Sequence, residues 1–185
     1  GNVGPHRGVD VAVESLKHLS HFPKIRLELT GKLSKAARSW LENMAQELGV
    51  SDRLQINGYQ PFNKFFSYMY YADVNLIPHN RNGHTDNTIP HKLYQGMLIG
   101  KPVVVSDAPP LKRVVEKLNS GVIFEAGNAA DFARKIETLY SNREFANELG
   151  QNGHEMTVNK GENWEATGTI LVELYHKVFD IKTKG

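Results

Sequence analysis

The chain has no cysteine among its 185 residues, which excludes disulfides and thiolate chemistry. It has no apolar run long enough to cross a membrane, and no stretch reads as a secretory signal. The default setting is cytoplasmic, with peripheral attachment at the inner face of the membrane as the one membrane role left open. Lysine and arginine form no dense run, and a net charge of +2 with 23% charged residues describes a mixed, solvated surface. A nucleic-acid track is therefore not expected. No acid-x-acid pair occurs, and the spacing of His79, His84 and His91 matches no metal signature, so neither metal nor cofactor is expected. No Ser/His/Asp arrangement, internal repeat, low-complexity tract or linker stands out. What remains is one domain, long enough to bury a real core.

In chain order, a turn-rich opening leads into an amphipathic helix from Val9 to Leu19. Ile25 to Leu29 alternates like a strand and ends at Thr30-Gly31. Ser34 can cap a helix that runs to about Leu48 and stops at Gly49. Leu54 to Ile56 is a short strand closed by Asn57-Gly58, and an aromatic-rich helix follows Pro61. Asp73 to Ile77 makes a third strand, broken by Pro78, after which a polar loop runs from His79 to Thr88. Later come a helix from Leu111 to Leu118 and a strand at Val122-Ile123-Phe124. A helix starting at Asn128 or Asp131 follows, then one from Arg143 to about Met156, and a last one from Asn163 to Phe179. Strands alternating with helices predict an α/β fold with a parallel sheet.

The chain is organised around Asn87 to Asp107. Asn87 or Thr88 can cap a helix here, and Pro90 suits its first turn. Leu93, Tyr94, Met97 and Leu98 follow at helical spacing, Gly100 is placed to stop the helix, and Val103-Val104-Val105 is a fully apolar strand. Ligands of open α/β sheets sit outside the carboxyl ends of the strands, beside helix N-termini. The start of this helix is the expected functional site.

Gly100-Lys101-Pro102-Val103-Val104 and Ser106-Asp107 resemble the signature region of retaining nucleotide-sugar glycosyltransferases with the GT-B fold, of the family 4 type. The resemblance runs from Arg7-Gly8 to the Trp164 helix. In those enzymes two glutamates stand with seven residues between them; here the positions fall on Asn87 and Gln95, so both acids are amides. Pro90-x-Lys92 is similar to a form associated with the bacterial surface-polysaccharide branch. The resemblance implies a Rossmann-like parallel sheet flanked by helices on both faces, the C-terminal half of a GT-B fold. Residues 1–185 would then be a single donor-binding domain. A strand before Gly1 and a whole acceptor-binding domain would lie ahead of it.

The resemblance assigns roles residue by residue. Arg7, Lys92 and Thr88 would bind the diphosphate, Gln95 the ribose, Gly58 and Tyr59 the base, and Asn87 and Ile89 the donor sugar. A second basic residue is usual where Asn2 stands. Arg7 has a planar fork suited to phosphate oxygens; its alternative is a solvent-exposed turn arginine. Lys92 in a first helical turn opposes the helix dipole, a conflict that a phosphate would remove and that a bend back to solvent would avoid. Asp86 and Asp107 are available carboxylates, but neither has a partner that would mark it as a general base. No residue reads as a nucleophile or a general base, so no catalytic residue is expected in this domain. The implied activity moves a hexose-type sugar from a UDP or GDP donor to an acceptor hydroxyl with retention, in surface-polysaccharide or glycoconjugate synthesis. The domain alone would be inactive. A nucleotide-sugar epimerase and a non-catalytic GT-B-like module are the alternatives. The apolar residues of the last helix predict an under-packed surface and self-association as a dimer.

Overall fold

The computed structural model describes residues 3–4, 7–161 and 163–183, with the backbone alone at 180–183. Five strands alternate with eight helices in it. They run α1 (Val9–His18), β1 (Leu27–Thr30), α2 (Lys35–Glu47), β2 (Leu54–Gly58), α3 (Phe62–Tyr71), β3 (Asn75–Ile77) and α4 (His91–Leu98). Then follow β4 (Val103–Ser106), α5 (Pro109–Leu118), β5 (Gly121–Phe124), α6 (Ala129–Ser141), α7 (Arg143–Val158) and α8 (Trp164–Thr183). All pairings are parallel, and the fold is the α/β class expected from the alternation.

Local chemistry sets the helix starts. Ser34 Oγ accepts from Ala37 N–H at 3.1 Å, Asn128 from Asp131 N–H at 2.9 Å and Asn163 from Ala166 N–H at 2.9 Å. Asn128, not Asp131, is thus the cap of α6. The strand β3 is shorter than expected, starting at Asn75; Asp73, ahead of it, accepts from Arg143 Nη1 at 3.1 Å.

In β4, Val103, Val104 and Val105 are all fully buried, which is what a parallel strand with helices on both faces requires. Val104 packs into a core with α1, β1, α2 and α6, while Val103 and Val105 pack into a second one with α4 and α5. Arg53 joins α1 to the start of β2: its guanidinium is buried and donates to the carbonyls of Leu16 and Leu19, at the C-terminus of α1.

The sheet is divided. β1 pairs with β2, and β3, β4 and β5 form a separate sheet, with a cavity of about 1290 Å³ between the two. On α8, Trp164, Ile170, Leu171, Leu174, Tyr175, Val178 and Phe179 are each more than half exposed, the under-packed surface expected of that helix. Among the described residues no helix is long and apolar enough to cross a membrane.

Candidate functional site

The carboxyl ends of β1, β3 and β4 point to one side, where α1 and α4 begin. α4 starts later than expected. Neither Asn87 nor Thr88 caps it, because both belong to a 3-10 turn, Thr85–Asn87, and its exit. Asn87 Nδ2 donates to Gly83 O at 2.8 Å, and Thr88 Oγ1 donates to His84 O at 2.8 Å. The cap position falls instead to Pro90, which is extended and offers no side-chain acceptor. No side chain therefore caps the N-terminal end of α4, and Lys92 stands in its first turn.

Three nitrogen-bearing side chains converge there. Arg7 Nη1 donates to His79 Nε2 at 3.5 Å, which makes that nitrogen the acceptor and puts the neutral ring's proton on Nδ1. His79 is 2% exposed, and its pKa is lowered from 6.5 to about 3. Burial is the largest cause, followed by the charges of Lys92, Arg7 and His84. Lys92 keeps some surface exposure, yet its ammonium is packed round by protein, and burial followed by the Arg7 charge lowers its pKa from 10.5 to about 8. No carboxylate figures among the groups acting on either residue. The cluster repels itself and is suited to an anion.

Gly8 holds this arrangement in place. Its φ is +64°, and a Cβ there would lie 1.6 Å from Pro78 O. Only glycine lets the Arg7 turn sit directly on the end of β3, beside His79.

Arg7, Lys92 and Gln95 line one cavity, together with Pro78 and Pro90. Gly58 and Tyr59 stand apart from it at the end of β2, with Gly58 in the left-handed region and Tyr59 exposed. Asn87, Thr88 and Ile89 lie on the loop ahead of α4, outside that wall. Asn2 lies outside the described residues.

The loop carries a feature that the sequence reading missed. Arg81 donates to Asp86 through Nε at 2.6 Å and Nη2 at 3.1 Å, and its Nη1 lies 3.9 Å from Asp107. Asp86 and Asp107, neither of them read as a general base, share this guanidinium, which ties the loop to the end of β4. Nothing in the local sequence signals it, since Asp107 reaches Arg81 only through the fold. His79, whose spacing to His84 and His91 matches no metal signature, has no role in the sequence reading; its burial is likewise a tertiary property.

The family model described as glycosyl transferases group 1 matches residues 1–156. An uncharacterized glycosyltransferase of Methanocaldococcus jannaschii is 26% identical over 176 residues, which cover 95% of this chain and 46% of that protein. The lipopolysaccharide core biosynthesis glycosyltransferase LpsE of Rhizobium meliloti is 24% identical over 177 residues, covering 96% of this chain and 48% of the relative. The crystal structure of Anabaena HepE in complex with UDP superposes with a TM-score of 0.79 at 17% identity, over 97% of this chain and 47% of that one. The chain spans less than half the length of each of these proteins.

Proposed function

The chain belongs to the glycosyl transferases group 1 family, and from that premise we propose that it is the donor-binding half of a two-domain, family 4 type retaining transferase. The observation that carries the reading is the acid-free convergence of Arg7, His79 and Lys92 at the uncapped start of α4. A nucleoside diphosphate leaving group gains negative charge as its bond to the sugar breaks, and preorganised cations stabilise that charge most. Arg7 and Lys92 bind the diphosphate, with Thr88 at its edge. Gln95, on the same wall, reaches the ribose as both donor and acceptor. Gly58 and Tyr59 receive the base, and Asn87 and Ile89 flank the donor sugar.

The site binds and positions; it brings no nucleophile of its own. The acceptor hydroxyl comes with a second domain of the same polypeptide, consistent with the coverage of less than half of each relative. The donor is a UDP- or GDP-hexose, as supported by the likeness to HepE with UDP, and the product is a surface polysaccharide or glycoconjugate, as supported by the likeness to LpsE. Alone, the domain binds donor without transferring it, in the cytoplasm or at the inner membrane face.

Calorimetry with UDP, GDP and inorganic pyrophosphate tests this. Arg7→Ala and Lys92→Met each weaken all three ligands, whereas Gln95→Ala weakens only those with a ribose. Failure of every nucleotide to bind a polypeptide carrying both domains would instead make this a non-catalytic module.

A further inference from the structure

The loop between β3 and α4 is a block closed on itself. Asn82 Oδ1 accepts from His84 N–H at 2.9 Å and from Thr85 N–H at 3.0 Å. Thr85, 4% exposed, donates its hydroxyl to Asn80 O at 2.6 Å. Asn87 and Thr88 bond back to Gly83 and His84. Side chains and backbone of this short segment thus hold one another, and a shift of the loop carries Asn87 and Thr88 with it.

Arg81 reaches outward from the block. Its guanidinium holds Asp86 through two N–H groups and presents Nη1 to Asp107 Oδ2 at 3.9 Å. Asp107 stands directly past β4, and its other oxygen, Oδ1, accepts from Ala126 N–H at 3.1 Å in the turn after β5. One carboxylate therefore joins the turns that follow β3 and β5 to the end of β4. The planar fork of arginine can face two carboxylates at once, which the point charge of a lysine does less well.

Charge separates this rim from the cluster at the start of α4. Two carboxylates share the Arg81 guanidinium, so it offers no spare positive charge. A diphosphate is drawn to Arg7 and Lys92 and away from the rim. The amides and carboxylates of the rim suit the neutral hydroxyls of a sugar.

We propose that Arg81 and Asp107 form an ionic clasp that selects for the sugar of the donor, by setting where Asn87 and Ile89 stand, and that the clasp takes no part in holding the diphosphate. Both are positioning residues, acting through the loop, and the proposal rests on the donor-sugar reading of Asn87 and Ile89 given above. Their side chains are 43% and 36% exposed, so salt should weaken the clasp.

Calorimetry with UDP, GDP, UDP-glucose, UDP-galactose and GDP-mannose tests it. The quantity read is the sugar increment, the dissociation constant of a diphosphate divided by that of its sugar derivative. The variants are Arg81→Gln, Asp107→Asn, which keeps an acceptor for Ala126 N–H but drops the charge, and the two combined. The expected result is an increment in the parent chain for at least one sugar, lowered about fivefold by either single variant and no further by the double. Diphosphate affinities and thermal midpoints stay as in the parent. Salt at about 0.5 M lowers the increment of the parent chain and leaves that of the variants unchanged. Losses that add in the double variant would overturn the clasp. An equal loss for diphosphates and their sugars, an increment untouched by either variant, or no increment in a parent chain that binds UDP or GDP, would overturn the role in sugar selection while the diphosphate site stands. Failure of every nucleotide to bind would overturn the donor-site reading itself, and this proposal with it.

Discussion

Raising the pH from about 7 to about 10 probes the cation cluster through Lys92, because the ordinary lysine range lies above that window. In the folded chain its pKa is lowered to about 8, first by burial and then by Arg7. Between that value and 10.5 the unfolded chain holds the proton and the folded chain does not. Stability therefore rises with pH across the window, by at most about 3 kcal/mol if the whole shift is expressed. Donor binding moves the other way. On the proposed reading the diphosphate needs the ammonium, so above pH 8 its dissociation constant should grow roughly tenfold per pH unit, reaching about 30-fold near pH 9.5. UDP titrations by calorimetry give the binding limb, and thermal midpoints of the free chain give the stability limb. Lys92→Met should flatten both. Arg7→Ala removes the second cause of the shift and should move both inflections to higher pH. UDP affinity that stays flat to pH 10, or the same slope in Lys92→Met, would show that no phosphate meets this ammonium.

Other expected outcomes follow from the same structure. His79, whose pKa falls from 6.5 to about 3, binds fewer protons folded than unfolded between those values; stability is lost as pH drops through the window, so His79→Gln should shift the acid-unfolding midpoint, followed by tryptophan fluorescence, to lower pH. Gly8→Ala places a methyl against Pro78 O at a positive φ and should destabilise the chain and abolish UDP binding, as denaturant titration and calorimetry would show. Arg53→Met leaves the Leu16 and Leu19 carbonyls without their donor and should cost about 2–3 kcal/mol in urea unfolding with no change in UDP affinity per folded molecule. Ending the chain after Lys160 removes the exposed apolar side chains of α8 and should suppress concentration-dependent light scattering.

The fold was legible wherever a local rule decides the structure. The Val103–Val105 run, the caps at Ser34 and Asn128, and the stops at Gly49 and Gly100 each involve neighbours in sequence, and each stands where it was expected. The start of α4 was misread because two local rules compete at Asn87 and Thr88. Their side chains bond backward to Gly83 and His84, and a backward bond within a 3-10 turn wins over forward capping. In the site, the meeting of Arg7, Lys92 and Gln95 on one cavity follows the resemblance together with the rule that ligands sit at strand ends beside helix starts. The neutrality of His79 could not be anticipated, since it depends on burial and on two distant cations. The hold of Arg81 on Asp86 and Asp107 was hidden for the same reason, because β4 must be in place before Asp107 comes within reach.

The packing of α7 on α4 has a mechanical consequence. A Cβ on Gly150 would lie 2.4 Å from Gly100 O, so α7 touches main chain to main chain at the point where α4 stops. That end of α4 is held closely against α7, while the opposite end bears Lys92. Over its eight residues the helix is a lever about 12 Å long. A side chain at position 150 would push the two main chains apart and, through the rigid helix, displace the turn that carries Lys92.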